Sequence, residues 1–319
     1  MLYAPKPMHI PDGFLSVAVS ILLWIVSIIV IGYALKRVGK DLGERQVPMM
    51  GVLAAAIFAG QMLNFPVAGG TSGHLMGAAI VTILLGPWAA IVVMTTVVGV
   101  QALIFQDGGL LVMGANIFNM GIIGVLVSYF VYRSFLRLSG GRRWGLFIGG
   151  FTAAWLSIVL SALAVALQLA LSGISPANLA IPAMGGIHAL IGIGEGLITV
   201  GTLAFLRSAR GDLLHVDRGA GKGTTAIWIG GLVAALLLAI LSPLASVYPD
   251  GLEWVAEQQG FLKSASEPLY NIVPDYVFPG ITNQALATII AGIIGLIIVL
   301  GLVLGIAFLQ RRARRANKE

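Results

Sequence analysis

The chain has 319 residues, of which 58% are hydrophobic and 10% charged, with a mean hydropathy of +0.97 and a formal charge of +6. That apolar share lies well above the roughly 45–50% of soluble domains, which excludes a water-soluble globular protein. There is no cysteine, so disulfides, haem attachment and thiolate metal sites are excluded as well, and any bound metal must use nitrogen or oxygen.

The opening segment, MLYAPKPMHIPDGF, lacks the apolar core of a cleavable signal peptide, and the positive flank of the first apolar run lies after it. That run is therefore expected to stay as an anchor. Apolar stretches of helix-spanning length then recur to the end of the chain, where a barrel would show short alternating segments. They predict nine spans, near 15–35, 47–64, 75–86, 88–105, 110–132, 145–171, 187–206, 226–246 and 285–309. Only Gly86-Pro87 separates the third from the fourth, and the third is short for a full crossing.

After the seventh span comes a polar linker, RSARGDLLHVDRGAGKGTT. Its GAGKGTT fails the phosphate-loop pattern, because Lys222 is followed by Gly223 and position 217 is Asp; no nucleotide-binding motif occurs elsewhere. The last two spans form a hairpin around a proline-punctuated acidic loop, 247–284, with Asp250, Glu253, Glu257, Glu267 and Asp275 against Lys263 alone. The expected architecture is an all-α polytopic membrane protein. A seven-span unit covers 8–210, a cytoplasmic linker 211–225, and a two-span unit 226–319. Its many glycines suit close helix approach.

Lysine and arginine set the orientation, since short cytoplasmic loops retain them. Seventeen of nineteen fall after spans one, five, seven and nine, leaving Lys6 and Lys263 for the other side. The N-terminus is thus expected outside and the C-terminus in the cytoplasm, in the plasma (inner) membrane of a prokaryote. The basic pI of 9.8 needs no nucleic-acid partner, because these residues are topology determinants that also favour an anionic inner leaflet.

Of the four histidines, His215 reads as a solvated residue of a basic cytoplasmic loop, and the other three lie on or near the outside. If the mature chain begins at Met8, its free amine, the His9 amide and the His9 imidazole close two fused chelate rings and offer three coplanar nitrogens. Square-planar nitrogen sites favour Ni(II) or Cu(II) and accommodate Co(II), whereas magnesium and calcium want oxygens. His74, in the glycine-rich VAGGTSGHLMG, is the best source of a fourth nitrogen, although an interfacial histidine can equally cap a helix or bond a carbonyl. Imidazoles bind metal only when neutral, so capture is expected to weaken below the histidine range near pH 6.5.

Further polar residues fall among the spans. His188 and Glu195 share a helical face, and Glu195 lands deep in the bilayer; it is either functional or a structural hydrogen bond to a neighbouring helix. Gln101, Asp107, Asn116 and Asn119 either line a cavity or bond between helices. Asn64, Ser72, Asp107, Asn116, Asn119, His188 and Glu195 are the candidates to support the ligands or line a path.

Together MHIPDGFL, AGGTSGHLMGAA, LGPWAAIVVMTTVVGVQALIFQDGG, GANIFNMG and HALIGIGEGLIT resemble the NikM/CbiM substrate-binding subunits of energy-coupling-factor nickel and cobalt transporters. The tail, from YPDGLEWVAEQQGF through PDYVFPGI, resembles the PDGLE, or NikN-like, component. The resemblance implies chelation of Ni(II) or Co(II) by Met8, His9 and His74. It also implies inward release driven by separate ATP-binding cassette subunits through a transmembrane coupling protein. The metal is then cargo and no cofactor is expected, nor enzymatic activity in this chain. One departure stands out: seven residues precede the Met-His pair and would bury the needed amine in a peptide bond, so a start at Met8 is expected. The alternative, a stand-alone metal channel or secondary transporter, predicts inverted repeats, and no internal repeat is evident. An intramembrane metalloenzyme would want a pattern such as H-E-x-x-H, which is missing.

Overall fold

A computed structural model of the chain describes residues 8–41, 46–214 and 225–316. The first helix, α1 (Val17–Asp41), turns Val17, Ile21, Leu22, Ile25, Ile28 and Ile29 outward, as a helix bathed in lipid does. Next come α2 (Gln46–Gln61) and a hairpin of β1 (Asn64–Val67) and β2 (Thr71–His74), closed through Gly69 and Gly70, both at positive φ. The strands pair antiparallel, with Asn64 opposite His74 and Val67 opposite Thr71. This hairpin is the one departure from an all-helical chain among the described residues.

Then α3 (Ala78–Leu85) runs for only eight residues, all of them buried. A helix apolar on every side belongs inside the protein, and eight residues cover about 12 Å, less than half the hydrocarbon thickness. The third expected span is therefore a half-helix entered through a strand and an extended turn. Gly86 at positive φ and Pro87 at the next helix's first position fold the chain back into α4 (Pro87–Phe105).

Past a loop, α5 (Met113–Asn116) continues through a π-helical stretch, Ile117–Ile123, into α6 (Gly124–Leu138). It is followed by α7 (Arg143–Leu171) and α8 (Ala177–Arg210), which pack along most of their lengths. The last part holds α9 (Thr225–Leu241), the short α10 (Gly251–Gln259) and α11 (Gln284–Ala316). Seven helical segments among the described residues are long and apolar enough to cross a bilayer: those of α1, α4, α5 to α6, α7, α8, α9 and α11. The second expected span is the shorter α2. Most of the linker expected at 211–225, with His215, lies outside the described residues.

The C-terminal hairpin docks on the first unit through glycine. A Cβ on Gly231 of α9 would overlap Val52 of α2, and one on Gly295 of α11 would overlap Phe58. Because lipid gives helices no hydrophobic reason to associate, such close backbone approach is what holds them together.

Candidate metal centre

The Met8–His9 segment is strapped to α5 and to the loop before it. The Ile10 N–H donates to Asn116 Oδ1 at 3.0 Å, the Asn116 amide donates back to the Ile10 carbonyl at 3.1 Å, and Gly109 N–H reaches the same carbonyl at 2.9 Å. Asp12 takes the N–H groups of Leu110 and Val112 at 3.0 and 3.1 Å. Gly108 sits at φ +97°, and a Cβ there would press on His9. Glycine thus serves both the backbone conformation and the approach at this position.

Asp107 is the hub. Its Oδ1 accepts from the N–H groups of Met8 at 2.7 Å and His9 at 3.1 Å, and lies 3.3 Å from His9 Nδ1. His9 Nδ1 also meets the Asp107 carbonyl oxygen at 3.1 Å; with only acceptors in front of it, Nδ1 carries the proton. Three nitrogens of one dipeptide therefore point at a single carboxylate oxygen. His9 is buried, and its Nε2 has no partner. The His74 ring stands edge-on to the His9 ring, centroids 5.9 Å apart. Burial, helped by the nearby His9, lowers the pKa of His74 to about 3, which keeps it neutral across the physiological range. The competition expected near pH 6.5 therefore does not come from this histidine.

Around the pair lies a cavity of about 80 Å³, lined among others by Met8, His9, His74, Asn116, Asn119 and His188. His188 bonds the Met184 carbonyl through Nδ1 at 2.8 Å. Asn119 and Gln168 exchange amide bonds at 2.9 and 2.7 Å, and Ser161 donates to the Asn119 carbonyl inside the π-helical stretch at 2.7 Å. Both readings of Asn119 therefore meet in one residue, which bonds between helices and faces the cavity.

Glu195 has a different task. Its two oxygens accept the N–H groups of Met76 and Gly77 at 2.9 and 2.8 Å, at the start of α3. These are orphan donors of a helix N-terminus buried in the protein. Of the two readings of Glu195, the structure shows the hydrogen bond to a neighbouring element. By holding Met76 it also fixes the chain two residues after His74. Asn64 faces His74 across the hairpin, and Ser72 reaches outward instead, its Oγ donating to the Tyr248 carbonyl at 2.8 Å.

That contact belongs to a seam that the sequence left unread. Ser72 N–H bonds the Pro249 carbonyl at 2.8 Å, Thr71 Oγ1 reaches the same oxygen at 3.0 Å, and Ser246 N–H bonds the Asn64 carbonyl at 2.8 Å. The C-terminal loop thus lies along the hairpin that carries His74. It brings Asp250 and Leu252 to the cavity wall, while a Cβ on Gly251 would strike His188. Asp250 caps α10 by accepting from Glu253 N–H at 2.7 Å; burial first, then the Glu253 and Asp107 carboxylates, raise its pKa well above the usual range. From the far end of the same loop, the buried Tyr276 donates its hydroxyl to Asp107 Oδ2 at 2.6 Å. Its phenol is pushed well above its ordinary pKa by burial and by the charge of Asp107. Tyr276, Asp275 and Gln106 all carry positive φ without being glycine, a strained set on both sides of that one bond. Asp250 followed at three residues by Glu253 was a readable cap; nothing local announced Tyr276.

Residues 9–213 match the family model for the CbiM cobalt uptake substrate-specific transmembrane region. The chain belongs to the CbiM family. Residues 225–312 match the PDGLE domain, so this member carries both regions on one polypeptide. Over 97% of its length and all of the relative's, it is 39% identical to a protein of Archaeoglobus fulgidus provisionally named fused nickel transport protein NikMN. It is 29% identical to the fused nickel transport protein NikMN of Rhodobacter capsulatus, over 96% of this chain and all of that one. Among solved structures, a crystal structure of a truncated transition metal transporter superposes with a TM-score of 0.57 at 35% identity, covering 63% of this chain and 99% of the other. The CbiM-family chain is thus a multi-span membrane protein of nickel and cobalt transport.

Proposed function

We propose that this chain captures a divalent transition metal at the outer face of the membrane and is the substrate-binding subunit of an ATP-driven importer. The metal is chelated by the Met8 amine, the His9 amide and imidazole, and His74. The observation that carries this reading is the convergence of Met8 N, His9 N and His9 Nδ1 on one point, with the His74 ring standing edge-on to that of His9. Among the described residues no three His, Asp or Glu side chains gather as a metal cage, in keeping with a set completed by backbone nitrogens. Four nitrogens in a plane suit Ni(II) and Co(II). The two fused relatives reported above are named for nickel, which we take as the cargo.

The chelate needs a free amine on Met8, whereas in a chain that keeps Met1–Pro7 the same nitrogen is an amide. On binding, the protons that these nitrogens now share with Asp107 are exchanged for the metal, and the carboxylate faces the cation. ATP hydrolysis belongs to separate cassette subunits coupled through a membrane partner, in keeping with the lack of a nucleotide motif in the sequence. Residues 8–210 form the capturing unit and 226–319 its accessory two-span unit, with the N-terminus outside and the C-terminus in the cytoplasm.

The test is isothermal titration of nickel and cobalt into two purified forms, one beginning at Met8 and one beginning at Met1, each verified by intact mass. Tight binding of one metal by the Met8 form, and at least about a hundredfold weaker binding by the Met1 form, is expected when one of four ligands is lost. Equal affinity in both forms would rule out the amine as a ligand.

A further inference from the structure

Two polar groups with no partner face each other beside the centre. Asn64 is 5% exposed, and both its side-chain oxygen and nitrogen are buried without a hydrogen bond. Directly across the antiparallel pair stands His74, whose ring makes no hydrogen bond among the described residues. Residues paired in this way put their side chains on the same face with Cβ atoms about 4.5–5.5 Å apart, so the amide reaches the imidazole by a side-chain rotation.

The cost of this arrangement calls for a use. A buried amide with nothing bonded to it is disfavoured, and native proteins keep few of them. A histidine that ligates metal through one nitrogen nearly always donates its other N–H to a carbonyl or carboxylate, which fixes the tautomer and the ring plane. His74 lines the cavity and Asn64 does not, so the amide stands behind the ring as seen from the centre. The backbone of Asn64 is itself held, its carbonyl accepting from Ser246 of the C-terminal loop at 2.8 Å.

We propose that Asn64 is a positioning residue for His74: when the ring takes metal through one nitrogen, the Asn64 Oδ1 accepts the N–H of the other. The inference rests on the reading of His74 as a ligand and adds to it the group that sets the orientation of that ligand. It also assigns the C-terminal loop a part in the geometry, because Ser246 anchors the residue that aims the ring.

The experiment compares Asn64→Leu, which keeps the shape and removes the acceptor, with Asn64→Asp, which keeps the acceptor, in the chain beginning at Met8. Nickel affinity is read by titration, the ligand field by the visible absorption of the nickel-loaded protein, and folding by melting of the metal-free form. Asn64→Leu is expected to bind nickel about 10–100-fold more weakly and to shift the absorption band, while its metal-free melting stays at or above the parent's. Asn64→Asp is expected to keep the parent band and to bind within about threefold of the parent, or more tightly. Parental affinity and spectrum in Asn64→Leu would overturn the proposal, and so would equal losses in both variants. If Asn64→Leu does not fold, Asn64→Ala takes its place with the same expectations. His74→Ala separates the two levels: parental binding there removes the His74 reading and this inference with it, whereas loss there with none in Asn64→Leu removes this inference alone.

Discussion

Replacing Glu195 by alanine strips the two acceptors from the start of α3. The N–H groups of Met76 and Gly77, now bonded at 2.9 and 2.8 Å, would be left buried without partners. Each orphaned donor costs about 1–3 kcal/mol, so the pair costs about 2–6 kcal/mol. For a chain of this size about 2 °C of melting temperature corresponds to each kcal/mol, which gives a drop of about 4–12 °C in detergent. Glutamine keeps one of the two oxygens and should lose roughly half as much. Because Met76 follows His74 by two residues, slackening this end also loosens the hairpin, and nickel affinity should fall by at least about tenfold, or 1.4 kcal/mol. The assay is a melting curve of the metal-free protein alongside a nickel titration of the same preparation. A Glu195→Ala protein that melts within about 1 °C of the parent and binds nickel equally well would refute the capping argument, since that shift is below the cost of a single orphaned donor.

His74→Ala should abolish high-affinity nickel binding while His215→Ala leaves it intact, and equal losses in the two would remove the site assignment. His74 itself should show no titration between pH 7.5 and 5.5. Its folded pKa is about 3 against 6.5 unfolded, so the folded protein favours the neutral ring, and protonation sets in only well below pH 5. The histidine ring resonances of the metal-free protein, followed by NMR, test this directly, and a midpoint near 6.5 for His74 would contradict the burial described above. Tyr276→Phe removes the donor to Asp107 Oδ2 and should cost about 1–3 kcal/mol in melting free energy; an unchanged melting temperature would mean that the bond contributes nothing.

How much of this was legible in the sequence depends on the range of the force involved. The long spans were readable because bilayer burial acts residue by residue, and hydropathy adds up along a helix. The stretch around α3 misled for the same reason: Ile80–Leu85 is as apolar as a span, and only the distant Glu195 carboxyl reveals that a helix starts at Ala78. The hairpin of Asn64–His74 escaped because Pro66 and the Gly69–Gly70 turn read as loop, and its strands gain their order from each other and from Tyr248 and Pro249. His9 and His74 stood out as histidines near the outer face. Asp107 was noticed only as a polar residue in an apolar stretch, and its role as hub arises from three segments that meet in space alone. Asp250 and Tyr276 reach the centre from a loop more than 140 residues downstream of Asp107, where no local pattern reports a contact.

The seam between the hairpin and the C-terminal loop holds hydrogen bonds from Thr71, Ser72 and Ser246, and the contact between the two units continues through the Tyr276–Asp107 and Ser266–Asp12 bonds and the packing of α9 and α11 against α2. Between free partners diffusing in a membrane, a contact spread over so many segments would still depend on how often the two met. Carried on one polypeptide, the two halves meet at an effective concentration on the order of millimolar, so the contact forms without a search. Fusion thereby frees the seam from having to recognise its partner. Its residues can be chosen for how they shape the hairpin beneath them, and a fixed one-to-one ratio of the halves follows from translation itself.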